Sequence, residues 1–187
     1  DAKEAGLSVT AEVTPHHLAL TDEATGGFDT STKMAPPLRT GSDVETLRKA
    51  LAEGIIDCVA TDHAPHATHE KDVEFTAAPC GVLGLETAFG VVYDMVRTGE
   101  ISPLELMRRM STAPAQIFDL AGGSLTPGSA ADIVILDPDF SWVYDPAEGF
   151  SKSRNSPWAG AELNGRVYAT LVDGRLVYQT GRGILSQ

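Results

Sequence analysis

The hydrophobic pattern of this chain changes period along its length. Leu7-Ser8-Val9-Thr10-Ala11-Glu12-Val13-Thr14 alternates and is rich in β-branched residues, which predicts a strand ended by Pro15. A short helical turn is expected near Leu18–Glu23, and Gly, Pro, Ser and Thr from Gly26 to Pro37 predict loop. Val44, Leu47, Ala50 and Leu51 then recur on one helical face, with Ser42 or Asp43 as the cap and Gly54 as the stop. Ile55-Ile56-Asp57-Cys58-Val59-Ala60-Thr61 is the next strand, an almost continuous apolar run of the kind covered on both faces. Strand, loop, helix, strand is the repeat of a parallel α/β sheet.

Residues 65–84 form a long polar loop after that strand, and loops of this length are commonly functional or disordered. Leu85–Arg97 predicts a helix with Leu85, Phe89, Val92 and Val96 on one side. Ser102-Pro103 opens another with Ser as cap and Pro at its first position, and Ser111–Leu120 predicts a third. At Ala121-Gly122-Gly123 the texture changes. Ile133–Leu136, Trp142–Tyr144, Val167–Val172 and Leu176–Tyr178 read as short strands, with Asp173-Gly174 at a hairpin turn. The chain thus divides into an α/β segment, residues 1–122, and an all-β segment, residues 123–187.

Composition narrows the partners. A net charge of −12 sets a field that repels phosphate, which argues against nucleic acid and anionic membrane. Any anionic substrate must be gripped by local groups. Cys58 and Cys80 form no metal-binding spacing, and Cys58 reads as a small core residue of a cytoplasmic, reducing environment. No apolar stretch approaches the ~20 residues of a membrane span. No signal peptide is visible, and because the chain starts at Asp1 rather than Met that absence says little.

The candidate chemistry gathers at Thr61-Asp62-His63-Ala64-Pro65-His66. An Asp at a strand end is often only a cap. Here it closes an apolar strand, at the carboxyl end where α/β barrels place catalysis, and two histidines follow. A carboxylate there can ligate a divalent metal and act as a base toward metal-bound water. His66, fixed by Pro65, can lean over the pocket as a donor to substrate, its alternative being an exposed loop histidine. His63 is expected to point away or cap the loop, and His69 to be exposed. His16 and His17 are adjacent, so their side chains do not share a face; packing or support at the rim fits them better than a metal. Cys80-Gly81 offers exposed backbone groups suited to a planar amide ring, with a plain Gly/Pro loop as the equal alternative.

At these residues the chain resembles a known family. Glu12-Val13-Thr14-Pro15-His16-His17-Leu18, Lys33-Met34-Ala35-Pro36-Pro37-Leu38-Arg39 and Ala60–His66 look like successive blocks of bacterial type I dihydroorotases. Glu70-Lys71, Ala78–Gly81, Gly84–Thr87, Gly128–Val134 and Ser151–Pro157 continue the match in order. Single blocks also echo hydantoinases and allantoinases. The resemblance implies the C-terminal portion of a metal-dependent (β/α)8 TIM barrel followed by part of a β-sandwich. It implies zinc-dependent, reversible cyclisation of N-carbamoyl-L-aspartate to dihydroorotate in pyrimidine biosynthesis. Asp62 then corresponds to the metal-ligating aspartate and general base, His66 to the substrate-binding histidine, and Cys80-Gly81 to the backbone contact with the substrate ring. Ala35 stands where the family often has Asn, so a side-chain amide contact is lost there or supplied from elsewhere.

The family's His-x-His pair, its bridging carboxylate or carboxylated lysine, two further histidines and its substrate-binding arginine all precede the first matched block. A whole barrel needs ~250 residues. The expectation is therefore a truncated chain or gene fragment, inactive alone, since one ligand does not make a zinc site. A homodimer and an aspartate carbamoyltransferase complex are the assemblies the resemblance admits. A hydantoinase-type or allantoinase-type enzyme, and a non-catalytic dihydroorotase-like subunit of aspartate carbamoyltransferase, are the alternative readings. A half-barrel would also leave open strand edges and an uncovered apolar face, which predicts self-association.

Overall fold

The computed structural model describes residues 2–185. Residues 1, 186 and 187, the outermost positions of the two expected segments, lie outside them. The chain is mixed α/β: two short parallel strands packed by helices, then an antiparallel four-stranded sheet.

The first expected strand shrinks to β1, Glu12–Val13, and the second to β2, Cys58–Val59. They pair in parallel, Glu12 opposite Cys58 and Val13 opposite Val59. Alternation over Leu7–Thr14 overstated the strand because only Glu12 and Val13 pair with a neighbouring strand, while Leu7 and Val9 bond locally to Ala2 O and Leu7 O. Between them lie α1, Pro15–Ala19, and α2, Gly41–Glu53. Thr14 caps α1 by accepting the His17 N–H, so the helix begins earlier than the Leu18–Glu23 turn expected from pattern, and a 3-10 turn occupies Asp22–Gly27. The cap of α2 is Thr40, not Ser42 or Asp43. Asp43 instead sits one turn in and accepts from the Thr40 backbone N–H at 3.1 Å and hydroxyl at 2.6 Å.

The long loop after β2 is ordered by α3, Thr68–Lys71, and by a parallel bridge between His63 and Val82. Then comes α4, Ala88–Arg97, whose first expected turn, Leu85–Thr87, is irregular. The two further helices are one. α5, Pro103–Met107, runs into a π-helical turn, Arg108–Thr112, and on into α6, Ala113–Ile117. The π turn absorbs one extra residue, shifting the apolar face, which is why periodicity read a break there.

The main core sits between the two strands and the helices: Val13, Leu18, Leu51, Ile56, Val59, Val92, Met95, Ile101 and Leu106. Cys58 is buried as expected. β3, Ile133–Val143, joins two predicted strands into one. β4 is Glu162–Val172, β5 Arg175–Gln179 and β6 Gly183–Ile184, in the order β3-β4-β5-β6, all antiparallel. Asp173 and Gly174 both take positive φ, 49° and 75°, and turn β4 into β5 as predicted. α4 lies on β4, and Val91, Tyr144 and Leu163 bury the contact between the two parts.

Candidate functional site

Two loops converge at the carboxyl end of β2. The first leaves the strand through Thr61 and carries Asp62, His63 and His66. Asp62 takes a left-handed backbone, φ 49°, a conformation Asp tolerates better than most residues, and its carboxylate is exposed. His63 Nδ1 accepts the Gly84 N–H at 3.1 Å, and the Ala64 N–H donates to Val82 O at 2.9 Å. His63 is thus the loop cap, as expected, and it ties the first loop to the second. His69 lies exposed on α3.

The second loop, residues 72–84, presents Cys80 and Gly81. Two lysines hold it through its carbonyls. Lys33 Nζ donates to Thr76 O at 2.9 Å and Ala78 O at 2.6 Å. Lys71 Nζ, on a buried side chain, donates to Thr30 O at 3.0 Å and Pro79 O at 2.8 Å. Burial pushes the Lys71 ammonium below its ordinary pKa, with the nearby Lys33 charge adding to the effect. The Gly81 N–H donates to Lys33 O at 2.9 Å.

His66 and Cys80 meet directly: His66 Nε2 lies 3.0 Å from Cys80 O. The carbonyl only accepts, so Nε2 carries the hydrogen. Nδ1 faces Glu70 at 3.7 Å, too far for a hydrogen bond. Gly81 is buried beneath, with φ 122° and no space for a side chain.

Asn155 closes the arrangement from a third segment, between β3 and β4. Its carboxamide oxygen accepts the His66 N–H at 3.1 Å, and Nδ2 donates to Ala64 O at 2.9 Å and Gly81 O at 3.1 Å. Sequence pattern gave no warning of this residue, of Lys33 or of Lys71 as elements of the loop architecture. All three fall in blocks that carry the family resemblance, Lys33–Arg39, Glu70-Lys71 and Ser151–Pro157, but pattern assigned them no role, and an Asn among Ser, Lys and Arg reads as solvated.

The paired histidines after β1 lie side by side, ring centroids 4.6 Å apart, but have different surroundings. His17 bridges Thr14 Oγ1 at 2.7 Å and Pro36 O at 3.0 Å, tying the β1 end to the Lys33–Arg39 block. His16 is 3% exposed, with no hydrogen-bond partner at Nε2 among the described residues. Burial, then the adjacent His17 charge, lowers its pKa to about 4. His16 is thus held by packing and His17 by its two hydrogen bonds. Ala35 lies exposed on the same block, with a methyl where an amide would reach further.

Sequence comparison assigns the family. The amidohydrolase profile matches residues 3–177. The chain belongs to the amidohydrolase family. Among its family relatives, a dihydroorotase of Anaeromyxobacter dehalogenans strain 2CP-C is 50% identical over 184 residues, covering 97% of this chain and 42% of that protein. A dihydroorotase of Pelotomaculum thermopropionicum is 52% identical over 180 residues, covering 96% of this chain and again 42% of that protein. The chain therefore spans about two fifths of these curated amidohydrolase relatives. Among solved structures, L-hydantoinase from Arthrobacter aurescens superposes with a TM-score of 0.93 at 30% identity, over 100% of this chain and 43% of that one. D-hydantoinase from Thermus sp. gives 0.90 at 28%, over 99% and 42%.

Proposed function

We propose that this amidohydrolase chain is the C-terminal part of a dihydroorotase, acting in the reversible cyclisation of N-carbamoyl-L-aspartate to dihydroorotate. In this reading residues 1–122 complete a (β/α)8 barrel and residues 123–187 contribute to a β-sandwich. The observation that carries it is the hydrogen bond between His66 and the Cys80 backbone on the loops that follow Asp62 and β2, in a chain half identical to named dihydroorotases.

Asp62 is the proposed metal ligand and proton-transfer base, the metal being zinc. Its exposed carboxylate suits both roles, but no group of three His, Cys, Asp or Glu that could hold a metal occurs among the described residues. These residues alone do not fit a zinc site, which takes three or four ligands. The remaining ligands are assigned to the part of the relatives' length that this chain does not span. The substrate's carboxylate or ring carbonyl is assigned to His66 Nε2–H, and the flat ring amide to the backbone of Cys80 and Gly81. Lys33 and Lys71 support this by fixing the loop through carbonyls rather than through the exposed Cys80 side chain.

A hydantoinase is the second reading, favoured by the structural superpositions. Identity weighs against it: 30% to the L-hydantoinase against 50% to the dihydroorotase. A substrate panel on the intact enzyme tests the choice. Dihydroorotate is expected to turn over, with hydantoin and allantoin far slower; a preference for either of the latter sinks the proposal. The 187-residue chain alone is expected to be inactive, and zinc-dependent turnover by it would refute that. No helix among the described residues is long and apolar enough to cross a membrane. A cytoplasmic location is proposed with the dihydroorotase reading. A homodimer and an aspartate carbamoyltransferase complex are the assemblies proposed for the intact protein.

A further inference from the structure

The groups proposed to contact substrate come from two loops, yet a side chain from neither loop spaces them. Asn155 is 5% exposed and its bonding capacity is directed almost wholly at those loops. Both Nδ2 hydrogens go to carbonyls, Ala64 O and Gly81 O, while Oδ1 takes the His66 N–H. Its own backbone carbonyl accepts the Leu83 N–H at 2.9 Å. A carboxamide is what this position requires: two donors facing two carbonyls and one acceptor facing one N–H. An Asp carboxylate would set an oxygen against two carbonyl oxygens, and an apolar side chain would strand all three backbone groups.

We propose that Asn155 is the positioning residue of the substrate loops, fixing the backbone gap between His66 and Cys80-Gly81 while leaving the His66 ring free to turn. The proposal takes its ligand from the dihydroorotase reading above, but its geometry stands without it. In the resting chain His66 Nε2–H and Cys80 C=O satisfy one another. A ring amide that engages both must replace that bond with bonds of its own. The exchange costs little only where the two backbones stay in place and the imidazole alone moves. Asn155 grips backbone atoms on both sides and no ring atom, which is the division of labour such an exchange needs.

The test uses the 187-residue chain with isotope-labelled histidine and asparagine. In the unsubstituted chain, nuclear magnetic resonance at mildly alkaline pH is expected to show His66 in the Nε2–H tautomer. Couplings through hydrogen bonds are expected from Asn155 Nδ2 to the Ala64 and Gly81 carbonyls. Asn155→Asp and Asn155→Ala should turn His66 into a tautomer mixture and raise its amide exchange by roughly tenfold. Amides of the β3–β4 ladder should keep their exchange rates. An unchanged His66 tautomer and amide in both variants overturns the proposal. So does absence of both couplings in the unsubstituted chain, a result that does not depend on either variant folding.

In the intact enzyme, Asn155→Ala should lower kcat/KM for dihydroorotate on the order of 10²-fold, chiefly through KM. A loss confined to kcat counts against positioning. If the intact enzyme does not turn over dihydroorotate while the resonance results hold, the ligand assignment falls and the positioning role stands.

Discussion

Gly81 and Ala64 leave no room between them for a side chain. A Cβ on Gly81 would lie 2.5 Å from Ala64 Cβ and 3.2 Å from His66 Nε2. The backbone there, φ 122°, is one that a side chain strains in any case. Gly81→Ala should therefore cost about 1–3 kcal/mol of stability, as strained backbone positions do. Urea unfolding measures this, and an unchanged midpoint would mean that the loops are not in contact.

His16 gives the fold a pH dependence whose sign is fixed. Its folded pKa of about 4 lies below the ordinary 6.5, so the unfolded chain binds the proton more readily. Stability is full above about pH 6.5 and falls as pH drops toward about 4, by up to roughly 3 kcal/mol from this group. His16→Gln should flatten that slope. Identical urea midpoint profiles for the two proteins across this window would show that His16 is not the source.

Lys71 holds two carbonyls with one ammonium group. Lys71→Met keeps most of the side chain's length but leaves Pro79 O unpaired and Thr30 O with only the Lys33 N–H at 3.2 Å, a loss of about 1–3 kcal/mol. Limited proteolysis should then cut within residues 72–80 faster than in the parent chain. Faster cutting spread evenly along the chain would point to global unfolding instead.

Asp62 should separate stability from activity. Its carboxylate is exposed and Asn adopts the same left-handed backbone, so Asp62→Asn should change the melting free energy by no more than about 0.5 kcal/mol. In the intact enzyme the same change should cut kcat by roughly 10²–10⁴-fold. Near-parental steady-state turnover would remove Asp62 from the mechanism.

The four-stranded sheet exposes Val134, Val143, Val172, Leu176 and Ile184. With β3 and β6 as open edges, the 187-residue chain should self-associate as its concentration rises. Sedimentation velocity checks this. A single concentration-independent monomer would contradict it.

Much of the fold was legible in pattern. α2 was visible because its apolar residues recur on one face above a Gly stop, and the β4–β5 turn because Asp-Gly supplies two left-handed positions. The lengths of β1 and β2 were not, since a strand extends only as far as a neighbour pairs with it. The fusion of α5 and α6 was hidden because one inserted residue shifts the apolar face without ending the helix. At the site, the motif order pointed to Asp62, His66 and Cys80-Gly81, and the fold brings the last two within a hydrogen bond of each other.

The sequence by itself determined the local matters: which segments bury an apolar face, where turns fall, and which residues carry a carboxylate or imidazole at a strand end. Those depend on neighbours a few positions apart. Only the tertiary structure decided that Asn155 sets the spacing of His66 and Gly81, 89 and 74 positions away along the chain. It also decided that Lys71 spends its charge on carbonyls. A polar side chain's role follows from which unsatisfied backbone groups the fold carries to it, and no local pattern encodes that meeting.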